Sequence, residues 1–197
     1  KETLRRWVER PDEHDILLAT VFLDYRPGAG NPALARELTR FLYEEIARTE
    51  IFLARLAENA LSTPPPLSFF RNLVVERNGE HKNEFDLKVR AMIPLADAAR
   101  VLSLDHELAG ENSTIRRYQR LAALETGHRE LYEEAALAYE ILMKVRARFG
   151  LRQRDSGRYI DPEALNKLER QTLRNIFAAV KELQDVLRVR FPAGRVR

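Results

Sequence analysis

The sequence predicts a mainly α-helical protein, built as an up-and-down bundle of long antiparallel helices. Apolar residues recur at helical spacing in several segments, the connections between them are short, and capping residues mark their ends. The chain has 197 residues, of which 45% are hydrophobic and 32% charged. That composition suits one globular domain with a full core or two closely packed helical halves, and we expect residues 1–197 to form a single helical domain.

The first long helix is predicted over residues 31–62. Asn31 suits the N-cap position and Pro32 the first turn, and apolar residues follow at helical spacing. One helix of thirty residues would extend about 45 Å, which suits a bundle. The prolines at 64–66 end it, because proline cannot continue the hydrogen-bond ladder of a helix.

A short β-hairpin insertion is predicted over residues 73–90, where apolar stretches flank the turn signal Asn78-Gly79. Asp161 is then a good N-cap for a final helix that starts at Pro162. Including that one, four further helices are expected, over residues 94–107, 113–125, 128–149 and 162–190.

Several functional classes lack their sequence signals. The chain has no cysteine, which removes disulfides, thiolate chemistry and cysteine-based zinc sites. It has no run of about 18 apolar residues and no apolar signal segment at its start, so we expect a cytoplasmic protein without a membrane partner. His14, His81, His106 and His128 lack metal-ligand spacing, and no nucleophile elbow or phosphate loop occurs. We therefore expect no catalytic residue and no metal site in this chain.

The excess of positive charge lies in the second half of the chain. Residues 99–197 contain 19 basic and 14 acidic residues, with basic residues concentrated in "KVRARFGLRQRDSGR" and in the tail "RVRFPAGRVR". Such clusters attract phosphate or acidic proteins. The alternative is a solvated helix face, since aromatic residues that would stack on nucleic acid bases are sparse there.

Isolated polar residues interrupt apolar sequence between residues 84 and 121, and four of them are suited to phosphate: Lys88, Arg100, Thr114 and Arg117. A buried cation needs a partner, because an unpaired buried charge costs several kcal/mol. Asp97 and Arg100 are three residues apart and therefore adjacent on a helix. They form either a local ion pair at the core edge, or a site in which Arg100 points into a groove between helices.

The neighbours of these residues suggest how each is presented. In an extended segment, Asp86 and Lys88 would share one face. Thr114 and Arg117 fall near the start of a predicted helix, where free N–H groups and the helix dipole favour an anion. The alternative for Thr114 is that it and Ser113 only cap the helix.

Asp24 and Arg26 precede a Pro-Gly-x-Gly turn in "FLDYRPGAGNP". If the chain is extended there, the two side chains share a face. They form either a structural ion pair that holds the turn, or a phosphate site in which Asp24 orients the Arg26 guanidinium.

Over nearly its whole length the chain resembles the C-terminal domain of a family of bacterial nucleotidyltransferases that often carry CBS and cyclic-nucleotide-binding domains upstream. The resemblance rests on "DILLATVFLDYRPGAGNPAL", "PPPLSFF", "FDLKVRAMIPLADAARVLSL", "NSTIRRYQRL" and "DPEALNKLERQTLRNIFAAVKELQ". It implies a helical bundle that binds substrate and forms the C-terminal part of a larger protein. The polar set that it implies is Asp24, Arg26, Lys88, Arg100, Thr114 and Arg117.

The resemblance also implies partners. Nucleotidyl transfer needs metal-bound carboxylates beside a triphosphate, so Mg²⁺ and a nucleoside triphosphate are expected for the full-length protein, with an upstream catalytic domain and sensor domains. This domain would position a nucleotide phosphate or an acceptor protein and would be inert alone. The alternatives are a protein-interaction or dimerisation module in signal transduction, with a homodimer as one form, and a nucleic-acid-binding bundle.

Overall fold

Eight α-helices and one two-stranded sheet make up the part of the chain that the structure describes, residues 1–63 and 75–192. This computed structural model confirms the mainly helical prediction. The helices are α1 (Glu2–Glu9), α2 (Glu13–Phe22), α3 (Pro32–Ile46), α4 (Ile51–Leu61), α5 (Ile93–Asp105), α6 (Thr114–Leu124), α7 (Arg129–Gln153) and α8 (Lys167–Arg190). The strands are β1 (Phe85–Asp86) and β2 (Tyr159–Ile160). None of these helices is both long and apolar enough to cross a membrane.

The last four helices form the bundle. Consecutive helices from α5 to α8 pack on one another, and α8 packs back against α5. Helix α5 is the most deeply buried of them, with nine buried residues among its thirteen. Buried Tyr118 of α6 donates a hydrogen bond of 2.6 Å to the Leu95 carbonyl of α5. Side chains on the remaining face of α5 therefore point toward the N-terminal helices, and this face carries the candidate site.

The single long helix predicted over residues 31–62 is wrong, because the chain turns between α3 and α4. The backbone N–H groups of Arg48 and Thr49 donate to carbonyls three residues earlier, at 3.1 and 3.2 Å, instead of four. The break lets α3 pack on α1 while α4 packs on α5 and α8. Because α3 and α4 each bury an apolar face in this way, the chain breaks between them although the helical periodicity of the sequence continues through the break. The predicted end at prolines 64–66 lies outside the described residues.

The predicted hairpin is wrong in its pairing. Strand β1 pairs antiparallel with β2, in the register Phe85 to Ile160 and Asp86 to Tyr159, and not with a segment across the Asn78-Gly79 turn. Residues 75–84 instead form a loop that is closed by backbone hydrogen bonds between Glu76 and residues 83 and 84, both 2.8 Å. Residues 73 and 74 lie outside the described part of the chain.

An ion pair joins the two strands. Arg158 donates to Asp86 Oδ2 from Nε and Nη2, at 2.9 and 2.7 Å, and Asp86 Oδ1 accepts the Val89 N–H at 3.0 Å. Asp86 and Arg158 are 72 positions apart in the sequence, so a local hairpin signal could not indicate that they pair.

A π-helical turn, Lys88–Met92, leads from β1 into α5. Its closing hydrogen bond runs from the Ile93 N–H to the Lys88 carbonyl, five residues back. Pro94 explains the wider turn, because proline lacks an N–H and its ring excludes a carbonyl four residues earlier. The final helix also starts later than predicted. Asp161 caps only a short 3₁₀ turn, and Asn166 with Glu169 forms the capping box of α8.

One polar cluster ties together the ends of four helices. The Glu125 carboxylate accepts hydrogen bonds from Tyr132 at 2.9 Å and Arg190 at 3.0 Å, and lies 2.9 Å from His106 Nε2. Burial alone would raise the pKa of Glu125, but its hydrogen bonds from Arg190, Tyr132 and His106 lower that pKa to about 2. The ionised carboxylate therefore stabilises the junction of α5, α6, α7 and α8.

We expect Glu125→Gln to lower the free energy of unfolding by about 2 kcal/mol at neutral pH, through loss of charge-assisted hydrogen bonds. The folded pKa of about 2 lies below the ordinary value of 4.5, so the contribution is complete above pH 4.5 and is lost as the pH falls toward 2. Urea titrations at several pH values measure the difference between wild type and variant. A difference that stays constant from pH 6 to pH 2.5 would contradict this explanation.

Gly157 has a positive φ of 61° directly before Arg158. A Cβ atom there would lie 2.0 Å from the Arg146 carbonyl oxygen. We expect Gly157→Ala to lower the free energy of unfolding by about 2 kcal/mol or more, because both conformation and space require glycine. Gly127→Ala is the control, since Gly127 has open space around its Cα and its φ is not positive. Equal thermal stability of the two variants would argue against this close approach.

Candidate functional site

Asp24 lies between two buried arginines that come from different helices. Its Oδ2 accepts a hydrogen bond of 2.6 Å from Arg100 Nη2, and its Oδ1 lies 2.7 Å from Arg117 Nη1. Asp24 follows the end of α2, Arg100 is on α5 and Arg117 is on α6. These three residues, which we call the arginine clamp, join the N-terminal helices to the bundle.

Further contacts fix both arginines of the clamp. Arg100 Nη1 donates to Asp97 Oδ1 at 2.5 Å, and Arg117 Nε donates to the Glu111 carbonyl at 2.8 Å. The arginines are only 8% and 4% exposed. A buried guanidinium is stable only when its charge is paired, and here Asp24 and Asp97 provide the negative charge.

The electrostatics of the clamp favour the charged forms of Asp24 and Arg100. Burial raises the pKa of Asp24, but hydrogen bonding and charge from Arg100, together with Arg117, bring it below its usual value. For Asp97 the effect of burial is larger than that of Arg100, and its pKa is raised. Burial lowers the pKa of Arg100, but Asp24 and Asp97 raise it above its ordinary value. Arg100 therefore remains charged at any physiological pH.

A cavity of about 500 Å³ opens beside the clamp, between the loop after α2, helix α3, helix α5 and the segment before α6. We call it the arginine cavity. Its buried lining residues form its floor, and its exposed ones form its mouth. The floor contains Arg100, Ser103, Leu42, Leu104, Leu108 and Arg117. The mouth contains Arg26, Arg36 and Arg40.

Two polar atoms at the floor have no hydrogen-bond partner within residues 1–63 and 75–192. They are the hydroxyl of Ser103, which is 3% exposed, and Nε of Arg100. Unpartnered buried polar atoms are uncommon, because each one loses its hydration without compensation. Tyr43 also lines the cavity, and burial raises its pKa to about 12, so its hydroxyl is protonated at neutral pH and can donate.

The structure brings together four of the six residues that the sequence analysis selected: Asp24, Arg26, Arg100 and Arg117. Both interpretations of Arg100 apply, because it pairs with Asp97 and also faces an interhelical cavity. The predicted Asp24–Arg26 ion pair is not among the pairs that the described residues form. Asp24 turns toward the bundle, while Arg26 is exposed at the mouth.

Lys88 and Thr114 do not line the arginine cavity. Lys88 is exposed at the start of the π-helical turn. The face that it was expected to share with Asp86 is wrong, because the extended segment ends at Asp86, which pairs with Arg158. Thr114 is the first residue of α6, whose N-cap is Ser113. The Glu111 carboxylate accepts the Ser113 N–H at 3.0 Å, so a carboxylate already lies at that helix terminus.

The cavity lining also includes five residues that the sequence did not single out: Arg36, Thr39, Arg40 and Tyr43 on α3, and Ser103 on α5. Arg36 and Arg40 are four residues apart, which places them on one helical face. That spacing could have indicated a basic stripe. Nothing in the sequence could have indicated that this stripe faces Arg100 across the cavity.

Metal ligands are a separate question. In residues 1–63 and 75–192, no group of three or more histidine, aspartate or glutamate side chains is placed to hold a metal ion. The donor set beside the arginine cavity is cationic, which does not fit Mg²⁺.

A protein-family model matches residues 50–191, and its description is "Putative nucleotidyltransferase substrate binding domain". The chain belongs to this family. The match to the substrate-binding domain includes Arg100 and Arg117, whereas Asp24, Arg26 and the arginines of α3 lie before its first residue. Neither a curated protein nor a solved structure matches the chain.

We expect Asp24→Asn to destabilise the substrate-binding domain, because two buried guanidinium groups lose the charge between them. The side chain of Asp24 is 36% exposed, so the expected loss is about 2 kcal/mol, below the range for a fully buried pair. The folded pKa lies below 3.8, so this stabilisation is present above pH 3.8 and disappears as the pH falls through the folded pKa.

Chemical denaturation at pH 7 and at pH 3 measures the effect. Asp185→Asn is the matched control, since Asp185 forms exposed pairs within one helix. The clamp would not have the expected role if both variants lost less than about 0.5 kcal/mol at pH 7.

Proposed function

We propose that this chain is the substrate-binding domain of a nucleotidyltransferase, and that the arginine cavity holds a phosphate-bearing substrate for a catalytic domain outside this chain. The family supports the general role. The cavity supports the ligand class, because it combines apolar walls with several guanidinium groups.

The observation that carries this proposal is the charge of the lining. Five arginines line the cavity, and Glu111 is the acidic residue among the lining residues. Within the described residues, Arg26 and Arg36 have no carboxylate within 4.0 Å, and Arg40 lies 3.9 Å from Glu44. An excess of guanidinium groups beside a concave surface attracts anions and can bind phosphate oxygens in pairs.

The basic cluster of the second half supports nucleic-acid binding less well than its sequence suggested. Arg148 pairs with Glu169 at 2.5 Å, Arg158 pairs with Asp86, and Arg146 donates to the Ser156 carbonyl at 3.0 Å. These contacts hold the segment between α7 and α8 in place, and the charges of Arg148 and Arg158 are each paired with a carboxylate.

In this proposal the metal and the chemical step belong to the catalytic domain. Mg²⁺ and a nucleoside triphosphate remain predictions for the full-length protein, as do the upstream sensor domains, the acceptor protein and a homodimer. This domain contributes binding energy and orientation, which favour transfer by holding the reacting groups close together.

The proposal predicts that pyrophosphate, ATP and UTP bind to the isolated chain, and that Arg26→Ala and Arg36→Ala each weaken binding about five- to tenfold. Each variant removes an exposed charge-assisted contact worth about 1 to 1.4 kcal/mol. Isothermal titration calorimetry at fixed low salt measures the affinities, because binding of anions depends on ionic strength.

Two exposed cations outside the cavity serve as controls. Arg116→Ala and Lys88→Ala remove the same charge without changing the cavity lining, so binding should change less than twofold. If all four variants weaken binding equally, the attraction comes from net charge and not from the cavity. If none of the three compounds binds to the wild type, the cavity does not bind phosphate.

A further inference from the structure

The positive charges of the arginine cavity are of two kinds. At the floor, Arg100 and Arg117 are compensated by Asp24 and Asp97, with ion pairs of 2.5 to 2.7 Å. At the mouth, Arg26 and Arg36 have no such partner within the described residues. The floor is therefore nearly neutral, whereas the mouth carries the excess charge.

This difference decides where a phosphate would lie. A phosphate at the floor would have to compete with Asp24 for both arginines and would place its charge beside two partly buried carboxylates. At the mouth it would meet exposed guanidinium groups and remain partly hydrated. Coulomb interactions therefore favour the mouth for phosphate, and a neutral group for the floor.

The floor has hydrogen-bonding groups that suit such a neutral group. The Ser103 hydroxyl can donate and accept, the Arg100 Nε–H can donate, and both lack partners within the described residues. Leu104 and Leu108 lie beside them, and Tyr43 contributes an aromatic ring. A flat, apolar ring with polar edges matches these surroundings, and a nucleobase has that chemistry.

We propose that a nucleotide enters the arginine cavity base first, with the base on Ser103 and Arg100 at the floor and the phosphates on Arg26 and Arg36 at the mouth. This inference rests on the proposed function and adds the substrate class and its orientation. The phosphates then lie at the open end of the cavity, where a catalytic domain has access to them.

Affinities for adenosine, AMP, ADP and ATP, and for the matching uridine series, test the orientation. With the wild-type chain, affinity should increase with each added phosphate. In Arg36→Ala, the increase in affinity with added phosphates should be at least threefold smaller than in the wild type. The affinity of this variant for the nucleoside should change less than twofold. In Ser103→Ala every member of the series should bind about three- to tenfold more weakly, with the increase per phosphate unchanged.

Ser103→Ala removes a hydroxyl that has no partner among the described residues, so the fold should tolerate it, and a thermal melt checks this. Tyr43→Leu provides a second measurement. Loss of the ring should also weaken nucleoside binding, while the gain in affinity with each added phosphate should not change. Arg116→Ala is the matched control and should leave both series unchanged.

The outcomes separate this inference from the proposed function. If pyrophosphate binds but adenosine and uridine do not, the cavity binds phosphate and the base-first orientation is wrong. The orientation is also wrong if Ser103→Ala reduces the gain in affinity with each added phosphate. It is likewise wrong if Arg36→Ala weakens the binding of nucleosides and of triphosphates equally. If neither nucleotides nor pyrophosphate bind, both proposals are overturned.

Discussion

The carboxylate of Asp24 is the constraint on which the candidate site depends. Two guanidinium groups approach one another inside the protein only because a negative charge lies between them. The same contact attaches the loop after α2 to helices α5 and α6, and so places helix α3 opposite α5. Without it, the cavity would lose one wall and the buried arginines would lose their counter-charge.

The clamp also shows why positive charge alone does not locate a ligand. Arg100 and Arg117 are the most deeply buried cations of the cavity, yet their charge is already compensated. Arg26 and Arg36 are exposed, and their charge is available to an anion. Buried ion pairs contribute shape and rigidity to the floor, whereas exposed guanidinium groups contribute attraction at the mouth.

The family match and the cavity cover different parts of the chain. The match starts at residue 50, so it includes the bundle and both buried arginines but not Asp24 or the arginines of α3. Apart from Leu42, the floor of the cavity therefore lies within the family's substrate-binding domain, while its mouth comes largely from the preceding residues. Residues 1–49 complete the cavity by packing, because α1 and α2 contact α4 and α1 contacts α3.

The sequence by itself determined the helical class and the approximate limits of α5, α6 and α7, and it selected Asp24, Arg100 and Arg117 as candidate site residues. Helical periodicity, capping residues and isolated charges in apolar segments are local signals, and each follows from neighbouring residues. Only the tertiary structure decided that α3 and α4 separate, that β1 pairs with β2, and that Asp24 pairs with Arg100 and not with Arg26. The ion pairs join residues 72 and 76 positions apart, and the separation of α3 from α4 depends on which apolar faces are buried together. Local sequence patterns encode neither the long-range contacts nor the packing of these faces.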